Sequence, residues 1–156
     1  MLGALTLAAA APPALAQATT DTVAAIRARG FLQCGVSPST VGFSLPDSRG
    51  EWRGIDIDTR RGVAAAIFGD ATKVRFVATT TQNRFTALQS GEVDMLARTT
   101  TWTLAREASL GLQFASITFY DGQGFMVHRD SGVTAARQLD GAMVCVQLGT
   151  TTELNM

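Results

Sequence analysis

The sequence predicts an α/β fold built on a mainly parallel sheet. Three features carry that expectation. Runs with helical spacing of apolar residues alternate with short β-branched and aromatic runs; glycines stand just past the helical runs; and a helix-length stretch separates each strand from the next, as a parallel crossover requires. In DTVAAIRARG, Val23 and Ile26 space as a short amphipathic helix stopped at Gly30, and FLQCGVS follows as a strand. Residues 38–54 carry Pro38, a DSRG turn and the isolated aromatics Phe43 and Trp52, the pattern of a loop or irregular hairpin. IDIDTRRGVAAAIFG opens with acidic residues at the positive end of a helix dipole and ends at Gly69.

KVRFVAT alternates as a strand, and TTQNRFTALQSGEV as a helix with Phe85 and Leu88 on one face, a cap from Thr79 to Thr81, and Gly91 past its end. VDMLA is a short buried strand. Further on, TFYDGQGFMV reads as an apolar strand interrupted by Gly122 and Gly124, which mark a bend or a bulge. AMVCVQ reads as a strand running into the turn GTTTE and a final helix.

With 156 residues, 46% of them hydrophobic and 17% charged, the chain has enough apolar material for one ordinary core, divided at most between two compact units. Thirteen basic and thirteen acidic residues cancel and never cluster beyond Arg60-Arg61, which argues against nucleic acid or an anionic bilayer as partner. Residues 1–18, MLGALTLAAAAPPALAQA, have the apolar stretch and Ala-Leu-Ala ending of an export signal, without a basic start; the other reading is a buried or disordered alanine-rich leader. The single histidine, His128, sits beside Arg129 and Asp130 as a surface residue, and no His/Cys/Asp/Glu spacing supports a metal site or a catalytic cluster. Cys34 and Cys145 both lie in apolar runs and read as small buried hydrophobes; an oxidising compartment would also permit a bridge.

The chemistry concentrates in two places. In TTTWTLARE, four hydroxyls and a guanidinium follow directly on VDMLA, at the carboxyl end of a strand, where open parallel sheets bind their ligands. Arg98 to Thr101 offer hydroxyls and backbone N–H groups there, and Arg106 can return from the next helix to fork a carboxylate. The competing reading is a threonine-rich cap before an exposed helix TLAREASL, with Arg106 paired to Glu107 or to solvent. The second place is Gly149-Thr150-Thr151-Thr152-Glu153, a turn whose N–H groups suit an anion and whose Thr150/Glu153 spacing equally suits a capping box.

Five blocks in order, RGFLQCGVS, GEWRGIDID, RFTALQSGEVDMLARTTTWTLARE, FYDGQGFMV and LDGAMVCVQLGTTTELN, resemble the periplasmic general L-amino-acid-binding proteins of polar-amino-acid ABC transporters, within the family 3 solute-binding proteins. The resemblance covers residues 22–155. It implies a type II periplasmic binding fold, two α/β lobes that close on one amino acid and deliver it to a membrane permease. By position it implies that Arg106 clamps the α-carboxylate, that Thr99 and Thr101 add a backbone N–H and a hydroxyl, and that Thr150 and Thr151 bring N–H groups from the second lobe. Arg98, Gln147 and Ser37 complete the candidate ligand-binding set. Relatives often carry an acidic residue and an aromatic in the first loop, where SPSTVGF offers Ser37, Ser39 and Thr40, with Phe43 reading as core; an asparagine at Thr99 and a cysteine at Thr59 are likewise replaced.

The expected organisation is a signal peptide at 1–18, the N-terminal part of lobe 1 at 19–123, and a crossing strand with the start of a truncated lobe 2 at 124–156. The chain then reads as an N-terminal fragment of an exported, periplasmic, monomeric binding component without a cofactor. Two other classes compete. A periplasmic enzyme on the same scaffold, of cyclohexadienyl dehydratase type, would need a general acid in the cleft with an orienting partner; a receptor ectodomain would need a membrane span downstream.

Overall fold

The computed structural model describes residues 21–156; the expected export signal at 1–18 lies outside them. Its centre is a three-stranded parallel sheet in the order β4-β1-β5, from β1 (Leu32–Val36), β4 (Val74–Ala78) and β5 (Met95–Leu96). Leu32 to Val36 pair residue for residue with Val74 to Ala78, and Cys34 and Gly35 pair with Met95 and Leu96. A small antiparallel hairpin, β2 (Leu45–Pro46) with β3 (Trp52–Arg53), fills the 38–54 loop.

Helix α1 (Thr22–Arg29) is capped by the Asp21 carboxylate, which accepts from the Val23 and Ala24 N–H groups, and is stopped by Gly30 in the left-handed conformation. Helix α2 (Ile55–Phe68) has Asp56 and Asp58 in its first turn and left-handed Gly69 past its end. Ile26 of α1, Ala64 of α2, and Leu32 and Cys34 on one face of β1 form the core, with Ile67, Val74 and Phe76 packed against it. Each fully enclosed aliphatic chain, such as Leu32, contributes on the order of 1.5–3 kcal/mol. Arg60 of α2 is also fully enclosed and donates to the Asp56 carbonyl at 2.7 Å and the Gly35 carbonyl at 2.9 Å, so a guanidinium ties the helix to the middle of β1. At the opposite end, Asp94 pairs with Arg29 and accepts from the Gln33 N–H at 2.7 Å, joining α1, β1 and the approach to β5.

Three local expectations need correction. The helix after β4, α3 (Arg84–Gln89), starts later than expected, with Asn83 as its N-cap residue and no side-chain cap. Thr80 and Asn83 instead exchange bonds of 2.7 and 3.1 Å between side chain and backbone, a local turn that competes with helix. TFYDGQGFMV and AMVCVQ are not strands: a strand needs a ladder partner, and none among the described residues lies beside either segment. Cys145 is exposed rather than buried for the same reason, while Cys34 is buried, and both thiols are free. Helix α4 (Leu104–Leu110) and the short α5 (Thr151–Leu154) complete the helices used below. Among the described residues, no helix is long and apolar enough to cross a membrane.

Candidate functional site

Because β4, β1 and β5 are parallel, their carboxyl ends share one edge, and the polar residues after each strand meet there. Ser37 follows β1; it is buried, its Oγ accepts from Thr40 Oγ1 at 2.8 Å, and its carbonyl accepts from Ser44 Oγ at 2.6 Å. Thr79 to Thr81 follow β4, and Arg98 to Thr101 follow β5. The Arg98 guanidinium turns onto the first of these groups. Its Nη1 donates to the Thr79 and Thr80 carbonyls at 2.8 and 2.6 Å, and its Nη2 reaches Thr81 Oγ1 at 3.4 Å. Arg98 thus braces two strand ends, and burial holds its pKa below the ordinary value against the pull of Asp56.

Arg106 takes its place through α4. Thr103 caps that helix by accepting from the Arg106 N–H at 3.2 Å, which sets the first turn and directs the side chain back towards the sheet edge. The Arg106 fork is not paired with Glu107, whose carboxylate instead accepts from the Phe114 N–H at 3.3 Å. Its Nη1 donates to the Thr101 carbonyl at 2.6 Å and its Nη2 to the Gly149 carbonyl at 3.5 Å, the outer limit of a hydrogen bond.

The Gly149 turn therefore lies on the same edge as Arg106. Thr151 Oγ1 stands 3.2 Å from Thr101 Oγ1, which ties the two candidate segments together a second time. Within the turn, Thr150 Oγ1 accepts from the Glu153 N–H at 3.2 Å and donates to the Gln147 carbonyl at 2.7 Å, while Glu153 Oε2 accepts from the Gly149 N–H at 2.7 Å. The reciprocal bond comes from one residue before the cap, so the capping-box spacing and the turn's place at the site hold together. Gln147 itself is exposed.

Arg84 was not singled out from the sequence. It is only 2% exposed, its Nη2 donates to the same Gly149 carbonyl at 3.0 Å, and its guanidinium lies over the Phe85 ring at 4.6 Å, a ring that Arg106 also covers at 5.2 Å. Burial, followed by the charges of Arg98 and Arg106, pushes its pKa down to about 10. One local signal was available: Arg84 opens α3, where the helix dipole disfavours a cation, so a tertiary partner is needed to account for it. Among the described residues, the side chains of Arg84, Arg98 and Arg106 hydrogen-bond only to neutral oxygens, and none is in an ion pair. Three guanidiniums without a bonded carboxylate are gathered on this edge, with buried Asp56 the acidic group whose charge acts on Arg98.

A cavity of about 480 Å³ adjoins this edge, with Arg98, Thr99 and Thr101 in its wall. Arg106 and Gly149 are not in that wall, so the cavity and the arginine-bound turn meet through Thr101. Phe43, expected in the core, is half-buried at the cavity and packs edge-on against Phe119 at 5.1 Å; Trp102 stacks on Phe114 at 5.5 Å. The volume falls within the range of small-molecule sites. Among the described residues, no group of three or more His, Cys, Asp or Glu side chains is placed to hold a metal ion.

Comparison with known proteins matches residues 32–151 to the bacterial extracellular solute-binding proteins, family 3. The general L-amino acid-binding periplasmic protein AapJ of Rhizobium johnstonii is 50% identical over 155 residues, covering 99% of this chain and 44% of the relative. The glutamate/glutamine/aspartate/asparagine-binding protein BztA of Rhodobacter capsulatus is 49% identical over 154 residues, covering 99% of this chain and 45% of that protein. The solved structure of an ABC transporter periplasmic binding protein from Brucella ovis, with glutathione bound, superposes with a TM-score of 0.82 at 58% identity, over 87% of this chain and 43% of that one. The chain thus spans less than half the length of each of these three relatives. With the parallel sheet, the threonine-rich strand ends and the arginine edge in place, and a family model matched over most of its length, the chain belongs to the family 3 bacterial extracellular solute-binding proteins.

Proposed function

We propose that this chain provides the carboxylate-receiving part of an extracytoplasmic solute-binding protein that captures free L-amino acids for an ABC importer. The observation that carries the reading is the meeting of Arg106 and the Gly149–Thr151 turn, 43 residues apart in sequence, on one carbonyl, beside the Thr101 and Thr151 hydroxyls at 3.2 Å. A fork with bonds only to neutral oxygens and a turn rich in N–H groups suit one α-carboxylate held between two segments. Thr99 and Thr101 supply further donors from the cavity wall. The division at residues 123 and 124 into a first lobe and a crossing segment, the periplasmic location, a monomeric state and hand-over to a membrane permease belong to the same proposal. The relatives' names, with their amino-acid ligands and periplasmic setting, support it.

Calorimetry on the complete polypeptide carrying this sequence tests it, with a panel of free L-amino acids, their α-amides, and glutathione, whose γ-glutamyl end carries the same α-amino acid group. Free acids are expected to bind and α-amides to fail. Arg106→Ala is expected to weaken binding by about 2–5 kcal/mol, because a buried charge-assisted pair is lost. Equal binding of acids and amides would remove the carboxylate clamp from the account.

A further inference from the structure

We propose that Arg84 is a positioning residue for ligand capture: its guanidinium holds the Gly149 carbonyl and thereby orients the turn that faces Arg106. The proposal rests on the functional reading above, and its test separates the two.

Two guanidiniums address the Gly149 carbonyl, and they are unequal. Arg84 donates at 3.0 Å from a side chain that is almost wholly enclosed, whereas Arg106 donates at 3.5 Å with its other nitrogen committed to the Thr101 carbonyl at 2.6 Å. A charge-assisted bond to a carbonyl is roughly twice as strong as a neutral one, and it falls off with distance, so Arg84 carries most of the grip. Arg106 can then turn its fork to an incoming carboxylate without releasing the turn.

The peptide plane makes this grip directional. In a trans peptide the carbonyl of Gly149 and the N–H of Thr150 point in opposite directions, and no cis bond occurs among the described residues. Fixing the carbonyl on Arg84 therefore fixes where the Thr150 N–H aims, and it sets the start of α5 so that Thr151 Oγ1 meets Thr101 Oγ1. Gly149 adopts φ +76°, a conformation that L side chains rarely adopt, which lets the chain reverse tightly enough to present its carbonyl to α3. The anchoring side is equally defined: Arg84 begins α3 and lies over its neighbour Phe85, which limits its rotamers. Burial first, and the charges of Arg98 and Arg106 after it, hold the Arg84 pKa below the ordinary value, so keeping a third cation on this edge is unfavourable. Such a cost fits a site whose ligand is an anion.

The test uses Arg84→Gln and Arg84→Lys in the complete polypeptide, with L-glutamine and L-glutamate as probes, read by calorimetry and by stopped-flow dissociation. Arg84→Gln is expected to weaken both probes by the same factor, about tenfold, through faster dissociation at an unchanged association rate. Arg84→Lys, which keeps the charge and one donor, is expected to recover most of that loss. A loss confined to L-glutamate would overturn the proposal, since it would make Arg84 a direct receptor for a side-chain carboxylate. Unchanged binding of both probes would overturn it as well. If Arg84→Gln fails to fold, Arg84→Lys decides by the same comparison: a small equal loss supports the pin, and an L-glutamate-only loss or none refutes it. Wild-type protein that binds neither these probes nor any other free L-amino acid of the panel overturns the functional reading and this inference together.

Discussion

Arg84, Arg98 and Arg106 crowd one edge of the sheet, and their partners set them apart. Arg98 is committed to the backbone of Thr79 and Thr80, so its replacement acts on stability first. Arg98→Lys, with one ammonium in place of a fork, is expected to lower stability by roughly 1–3 kcal/mol in denaturant titration. Arg106 keeps only one short bond, to Thr101, and is less enclosed than Arg84, which leaves it the guanidinium best placed to change partners. The two thiols diverge just as sharply. Burial pushes the Cys34 thiol up to about 12, and the thiolate is the reactive form, so Cys34 stays inert at pH 8 while exposed Cys145 reacts. Ellman's reagent at pH 8 is expected to label one thiol in the native 156-residue chain and two after denaturation, and Cys145→Ser is expected to abolish the native reaction. Spacing alone reads Arg106 equally as a ligand fork and as an exposed helix residue, and the family resemblance selects the first. Arg84 was not legible in the sequence, because a cation at a helix start looks like a local defect until its tertiary acceptor is known.

At the scale of elements, the start of α2 shows how backbone geometry serves the site. Gly54 lies at φ +123°, and a Cβ there would stand 2.2 Å from the Phe43 carbonyl oxygen. That carbonyl accepts from the Asp56 N–H and the Gly42 carbonyl from the Ile55 N–H, each at 3.0 Å, so the close approach stitches the cavity-wall loop to the helix. Gly54→Ala is expected to cost roughly 1–3 kcal/mol from backbone conformation alone, measurable as a lowered unfolding midpoint in urea. Helices α1 and α2 and strands β1 and β4 follow their local patterns, since caps, glycine stops and apolar spacing all act within a few residues. TFYDGQGFMV and AMVCVQ carry equally good strand patterns and remain unpaired, because a ladder is a property of two segments.

At the scale of the whole molecule, order is uneven in a way that exchange measurements can read. The sheet and its two covering helices enclose the core, whereas residues 115–132 are exposed throughout and make few backbone hydrogen bonds. In the 156-residue chain, amide hydrogens of residues 117–127 are expected to exchange orders of magnitude faster than those of Leu32–Val36, as read by mass spectrometry.

The sequence by itself determined the α/β class and helices α1 and α2 with their glycine stops, because periodicity and capping are local properties written in adjacent residues; it marked the two threonine-rich segments and Arg106 as candidates. Only the tertiary structure decided that Arg98 braces the strand ends, that Phe43 lines a cavity, and that Arg84 and Arg106 share the carbonyl of Gly149. Those outcomes depend on which groups a folded backbone brings within 3 to 4 Å of each other across tens of residues, a distance on which no run of neighbouring letters carries information.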